Sequence, residues 1–300
     1  MRPPEARMTM LAALLAVLTQ GTGDPARFLE YDRDVPLDFR VIAEEVVEGA
    51  TVQDVSYASA RKGRVPGYLL RPAGEGPFAG IVYMHWGQGD RTEFLSEAVL
   101  LAKKGAVSLM IDAPYHRPDI DSYSFVAEPE AEREGYIQLV GDLRRGFDLL
   151  AARKDVDPKR IGYVGHSLGA TWGGALAGVE TRFAGYVLMG GLPRLTDVLG
   201  DDSYAKLMQQ AFTREQLERY VEILSPINPE LFVGRAARGS ILFQFARHDR
   251  FISDASARDY VKAAGDSHEV RWYFTSHEFN DPDSPRDRLE FLAKKLGLTP

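Results

Sequence analysis

The chain has 300 residues, a formal net charge of −7 and no cysteine. Its hydrophobic content of 45% and its charged content of 26% are typical of a globular protein with a sizeable core. The lack of cysteine excludes disulfides, a cysteine nucleophile, thiolate metal sites and a lipoprotein anchor. The acidic balance, with no basic patch, argues against nucleic-acid binding.

Residues 1–50 are predicted to form an N-terminal extension. Within it, residues 8–18 are an apolar run preceded by Arg2 and Arg7. The run suits a signal peptide of about residues 1–23 and is too short to cross a membrane. The alternative is a short helix docked on the domain. The signal peptide is favoured, which predicts a periplasmic or secreted protein over a cytoplasmic one, and no later segment is predicted to span a membrane.

From residue 51 to residue 300, strand-like and helix-like segments alternate. The predicted strands are 52–59, 65–71, 78–86, 106–113, 160–164, 183–189, 239–245 and 270–275. The predicted helices include 91–104, one around 136–150, 253–264 and 289–296. Such alternation predicts one α/β domain, with an eight-stranded, mostly parallel sheet and helices on both faces.

One segment, residues 192–238, contains no predicted strand. Thr213 and Gln216 have the spacing of a capping box that opens a helix through about Leu224. This helical insertion follows the sixth strand and is expected over the C-terminal edge of the sheet. It is either a small lid on a substrate pocket or a surface excursion.

The motif G-x-S-x-G spans residues 165–169 and places Ser167 at its centre. A short β-prone segment precedes it, and a run of small residues that favours a closely packed helix follows it. In this context the motif predicts a nucleophile elbow, a sharp strand-to-helix turn that exposes the serine hydroxyl above the sheet. Ser167 is therefore the candidate nucleophile.

A serine nucleophile needs a base, and the base needs an orienting carboxylate. In a nucleophile-elbow enzyme these follow in the order serine, acid, histidine, each after a strand. Asp249 follows strand 239–245 and is the candidate acid, while the nearby Asp254 is expected to cap the next helix. The chain has six histidines, and His277 is the candidate base. It is the one that comes after both Ser167 and Asp249 and also follows a predicted strand.

Attack on a carbonyl also needs donors for the developing oxyanion. The backbone N–H of Leu168 is one candidate, and that of Gly87, or alternatively of Trp86, is the second. Arg117 is expected to be a solvated loop charge rather than a partner for a substrate carboxylate. Candidate pocket residues are Trp86, Tyr115, His116 and His166.

No metal site and no cofactor are predicted. The histidines are scattered without an H-E-x-x-H pattern. No G-x-G-x-x-G follows the first buried strand, so dinucleotide binding is not expected.

Four segments together resemble α/β-hydrolases of the dienelactone hydrolase and acetyl xylan esterase-like group. These segments are residues 85–89, 156–162, 247–249 and 276–279. The resemblance implies a mostly parallel eight-stranded sheet and a Ser–Asp–His triad, carried here by Ser167, Asp249 and His277. Dienelactone hydrolases proper use a cysteine nucleophile, which this chain lacks, so the resemblance implies serine esterase chemistry instead.

The implied activity is hydrolysis of a small carboxylic ester through an acyl-enzyme. A thioesterase or peptidase is the alternative, because the same triad serves all three bond types. A non-catalytic ligand-binding homologue of the fold also stays open. The sequence indicates a small-molecule partner and leaves the substrate's identity and the oligomeric state undetermined.

Overall fold

A computed structural model of the chain describes residues 23–117, 126–265 and 268–299. The apolar run 8–18, which is the predicted signal peptide core, lies outside the described residues. Within the described part, one sheet has nine strands in the order β1-β2-β3-β5-β4-β6-β7-β8-β9. Its strands are β1 (Arg40–Val47), β2 (Ala50–Ala58), β3 (Arg64–Arg71), β4 (Phe78–Met84), β5 (Ala106–Ile111), β6 (Val156–His166), β7 (Gly185–Met189), β8 (Ile241–Ala246) and β9 (Glu269–Tyr273).

Strands β4 to β9, six in all, are parallel to one another. Strands β5, β7 and β8 are buried along their whole lengths, which explains their nearly continuous apolar sequences. The mostly parallel α/β architecture predicted from the sequence is therefore confirmed. Because the strands are parallel, their carboxyl ends meet at one edge of the sheet.

The sheet has one strand more than the predicted eight. Strand β1 lies in the segment predicted to be an N-terminal extension, and it pairs antiparallel with β2. The two are joined at Glu48 and Gly49, which both have positive φ, as a tight two-residue hairpin requires. Strand β1 is exposed along nearly its whole length, so it lacks the apolar alternation that reveals a strand in sequence.

Helices cover both faces of the sheet. They are α1 (Leu95–Ala102), α2 (Pro129–Ala151), α3 (Leu168–Val179), α4 (Ser203–Ala211), α5 (Arg214–Leu224), α6 (Glu230–Val233), α7 (Asp254–Ala264) and α8 (Asp283–Leu296). Side chains of α1 and α8 pack in one core cluster, and those of α2, α3 and α7 pack in the other. Alternate residues of β4 enter opposite clusters, as expected of a strand covered on both sides.

The helical insertion between β7 and β8 contains α4, α5 and α6. The predicted capping box is present, because Thr213 accepts from the Gln216 N–H and the Gln216 side chain accepts from the Thr213 N–H. The cap of α7 differs from the prediction, since Ser253 rather than Asp254 accepts the capping bond. No helix in the described ranges is long and apolar enough to cross a bilayer.

Candidate active site

The turn from β6 into α3 holds Ser167 in an unusual backbone conformation. Its φ is 52° and its ψ is −107°, and its N–H donates to the Met189 carbonyl at 2.7 Å. A Cβ on Gly165 would lie 2.4 Å from the Gly169 oxygen, and one on Gly169 would lie 2.4 Å from the Met84 oxygen. Both glycines are therefore required for strand and helix to approach so closely.

The structure brings the three predicted triad residues together. Ser167 Oγ lies 2.8 Å from His277 Nε2, and His277 Nδ1 lies 2.7 Å from Asp249 Oδ2. Because a carboxylate only accepts, the Nδ1–H donates to Asp249, which leaves Nε2 to accept the serine proton. The three side chains form one continuous hydrogen-bonded chain.

The Asp249 carboxylate is also held by backbone groups, through the oxygen that does not contact His277. Its Oδ1 accepts from the backbone N–H groups of Phe251 and Ile252, at 2.8 and 2.9 Å. The side chains of Asp249 and His277 are each only 1% exposed. Water therefore does not compete for the bond between them, and the imidazole orientation is set by the fold.

The predicted donors for a developing negative charge are two backbone N–H groups. Leu168 begins α3, so its N–H belongs to the unsatisfied first turn of that helix. Gly87 lies near Leu168, since a Cβ on Gly87 would be 3.9 Å from Leu168 Cδ2. The alternative donor, the N–H of Trp86, already donates to Glu93 Oε2 at 2.8 Å. This contact favours Gly87 over Trp86.

Two histidines hold the loop that carries Gly87. Burial lowers the pKa of His85 to about 4, so its ring is neutral. His85 Nδ1 lies 2.6 Å from the Trp86 carbonyl, and its Nε2 accepts from the Ala113 N–H at 3.1 Å. His116 Nε2 lies 3.0 Å from the Gly87 carbonyl. These contacts fix the carbonyls on either side of the Gly87 N–H.

Glu93 and His166 connect the loop after β4 to the loop that carries His277. No sequence motif predicted this link. Glu93 binds the Trp86 N–H through one oxygen and His166 Nδ1, at 2.5 Å, through the other. His166 Nε2 lies 2.8 Å from the backbone carbonyl of His277. Both groups that the ring contacts are hydrogen-bond acceptors. This bridge joins the loop after β4 to the loop that carries the base.

A cavity of about 340 Å³ opens onto Ser167 and His277. Its wall is mostly apolar and aromatic, as is typical of small-molecule sites. The helical insertion supplies a large share of this wall: Leu192, Leu195, Tyr204, Met208, Phe212 and Tyr220. The insertion therefore shapes the pocket, as the lid hypothesis expects of its position.

Of the four predicted pocket residues, one is among the described residues that line the cavity and three are not. Trp86 lines the cavity. His116 and Tyr115 instead pack behind the loop against His85, and His166 forms the buried bridge described above. The expectation for Arg117 is wrong, because its guanidinium is buried 2.7 Å from the Asp142 carboxylate with neither side chain exposed.

The cavity wall also includes a carboxyl group, that of Glu132, which no sequence motif singles out. Glu132 lies on α2 and is 1% exposed. Its Oε1 accepts from the hydroxyls of Tyr136, at 2.5 Å, and Tyr220, at 3.2 Å. Burial raises its pKa to about 7. Sequence spacing could not reveal it, since one of its partners, Tyr220, lies on α5, 88 residues further along the chain.

No protein-family model and no curated protein matches the sequence. Solved structures do match. An acetyl xylan esterase from Paenibacillus sp. R4 superposes with a TM-score of 0.68 at 18% identity, covering 91% of this chain and 92% of its own. The chain has the α/β-hydrolase fold.

Two further solved structures support this assignment. Acetyl Xylan Esterase 1 from Thermoanaerobacterium sp. JW/SL YS485 gives a TM-score of 0.69 at 15% identity, covering 89% of this chain and 91% of its own. A putative dienelactone hydrolase from Klebsiella pneumoniae gives 0.58 at 18% identity, covering 83% and 98%. The resemblance seen in the sequence motifs thus extends over most of the α/β-hydrolase domain.

Replacing Glu132 by glutamine should change how stability depends on pH. Since burial raises the folded-state pKa of Glu132 from 4.5 to about 7, the wild type loses stability as pH rises through that window. The loss is on the order of 3 kcal/mol and should be absent in Glu132→Gln. The loss is measured as the difference between the free energies of unfolding by urea at pH 4.5 and at pH 8.

The matched control is Glu134→Gln, two residues along the same helix and exposed. Its free energy of unfolding should follow that of the wild type at both pH values. If the free energy of unfolding of Glu132→Gln changes with pH as that of the wild type does, the carboxyl group is not desolvated as described.

Proposed function

We propose that the protein is a serine hydrolase that cleaves small carboxylic esters. The observation that carries the proposal is the chain from Ser167 Oγ through His277 to Asp249, with Ser167 and His277 on the wall of a cavity. A serine hydroxyl needs such a base to act as a nucleophile at neutral pH. The structural neighbours, which include two acetyl xylan esterases, support ester hydrolysis.

In the proposed first step, Ser167 Oγ attacks the ester carbonyl carbon while its proton passes to His277 Nε2. The negative charge that develops on the carbonyl oxygen is stabilised by the N–H groups of Leu168 and Gly87. The bond to the alcohol oxygen then breaks, and His277 returns the proton to that oxygen. This leaves an acyl-enzyme on Ser167 and a free alcohol.

In the second step, water attacks the acyl-enzyme with His277 again taking the proton. The tetrahedral intermediate collapses, Ser167 recovers its proton and the carboxylic acid leaves. Asp249 stabilises the imidazolium in both steps and holds the tautomer that exposes Nε2 to the serine. The apolar wall of the cavity favours esters with short hydrocarbon parts.

Turnover of p-nitrophenyl esters from acetate to octanoate tests this proposal. The wild type should hydrolyse the short members, and Ser167→Ala and Asp249→Asn should each lower kcat by about 10⁴-fold or more. Unchanged thermal unfolding of the variants would show that the loss is chemical. A folded wild type that turns over none of these esters, or a Ser167→Ala variant that keeps the activity, would overturn the proposal.

The bridge through Glu93 leads to a second prediction. A glutamine at this position keeps the shape, but its single oxygen cannot accept both from the Trp86 N–H and from His166. We expect Glu93→Gln to lower kcat by about 10- to 100-fold through misplacement of the loop and the base. KM should change little, because Glu93 is not among the described residues that line the cavity.

Steady-state kinetics on p-nitrophenyl butanoate separate the two constants. Glu134→Gln is again the control and should behave as the wild type. A rise in KM with kcat unchanged would contradict the positioning role of Glu93.

A further inference from the structure

Glu132 is a buried carboxyl group on the wall of the substrate cavity, and one of its oxygens has no hydrogen-bond partner among the described residues. It lines the same cavity as Ser167 and His277. While Oε1 accepts from two tyrosine hydroxyls, Oε2 is buried without a hydrogen-bond partner in the part of the chain that the structure describes. An unsatisfied buried acceptor is costly, so its presence in a binding cavity indicates a group that is supplied from outside.

Above pH 7, where a carboxyl group with a pKa of about 7 is ionised, the partner that suits Glu132 is one that carries positive charge. Among the described residues, no arginine or lysine forms an ion pair with Glu132, and only the tyrosine hydroxyls offset its burial. Burying an ionised carboxylate without a cation costs more than leaving a neutral acceptor unsatisfied. Above that pH, a ligand that only donates a hydrogen bond would satisfy Oε2 but would leave the charge of the ionised carboxylate uncompensated.

The surroundings of Glu132 also suit a cation. Tyr136, Tyr204 and Tyr220 line this part of the cavity, and Trp86 and Phe212 extend the aromatic wall. The faces of aromatic rings attract ammonium groups that are removed from water. An N–H-bearing ammonium would therefore find an ionic acceptor and aromatic faces in the same place.

We propose that Glu132 is a specificity-determining residue that binds the ammonium group of the substrate, so that the protein prefers esters with an amine on the acyl part. This inference rests on the proposed ester hydrolase function. It assigns Glu132 to substrate recognition and leaves the bond-breaking steps to Ser167 and His277. The ammonium satisfies Oε2 and neutralises the carboxylate together.

Matched p-nitrophenyl esters test the preference. Each unbranched acyl chain of three to six carbons is made with a terminal ammonium, and with a methyl or a hydroxyl group in its place. In the wild type, the ammonium ester should exceed its methyl counterpart in kcat/KM by about 10- to 100-fold at the best chain length, as a charge-assisted hydrogen bond provides. In Glu132→Gln this ratio should fall to one or below, whereas Glu134→Gln should keep it.

The possible outcomes separate the two proposals. Turnover of the methyl esters with no ammonium preference at any length overturns the role of Glu132 and leaves the hydrolase function standing. A preference for the hydroxyl ester over the ammonium ester also overturns it, since the site would then recognise a neutral donor. Failure to hydrolyse any ester overturns the hydrolase function itself.

A binding measurement is independent of turnover. Propyl- to hexylammonium chloride should raise the thermal unfolding temperature of the wild type at pH 8, and the matching alkanols should not. The shift should disappear in Glu132→Gln and persist in Ser167→Ala, which keeps the carboxylate. Equal shifts in the wild type and Glu132→Gln would contradict an ammonium site at this residue.

Discussion

The site depends on one tight backbone turn, the passage from β6 into α3 at Ser167. Gly165 and Gly169 permit the contact, because a Cβ on either would collide with a backbone oxygen. Ser167 itself takes a positive φ, a conformation that a non-glycine residue adopts at a cost. The turn places Ser167 on the cavity wall and makes Leu168 the first residue of α3, so the proposed nucleophile and one proposed oxyanion donor are consecutive residues.

The remaining groups reach this turn from separate strand ends of the parallel sheet. Asp249 follows β8 and His277 follows β9, while Gly87 follows β4. The link from Trp86 through Glu93 and His166 to the His277 carbonyl ties these loops together. Because these polar contacts are buried or partly buried, they hold the loop of Gly87 and the loop of His277 in a fixed relation.

The fold class and the proposed triad could be predicted because their signals are local. The motif around Ser167, and polar residues directly after β8 and β9, appear as short patterns along the chain. Strand β1 could not be recognised in this way, since its exposed side chains lack an apolar alternation. The environment of Glu132 depends on Tyr220, 88 residues away, and the burial of Arg117 depends on Asp142. Such contacts are set by tertiary packing and leave no periodic trace.

The most direct test of the central claim is covalent labelling with a fluorophosphonate, followed by peptide mass spectrometry. Such a probe reacts with a serine that an adjacent base activates, so it reports on the assembled triad without any assumption about the substrate. We predict a single phosphonyl adduct on Ser167, lost in His277→Ala. Folded wild-type protein that stays unlabelled, or carries the adduct on another serine, would contradict the account.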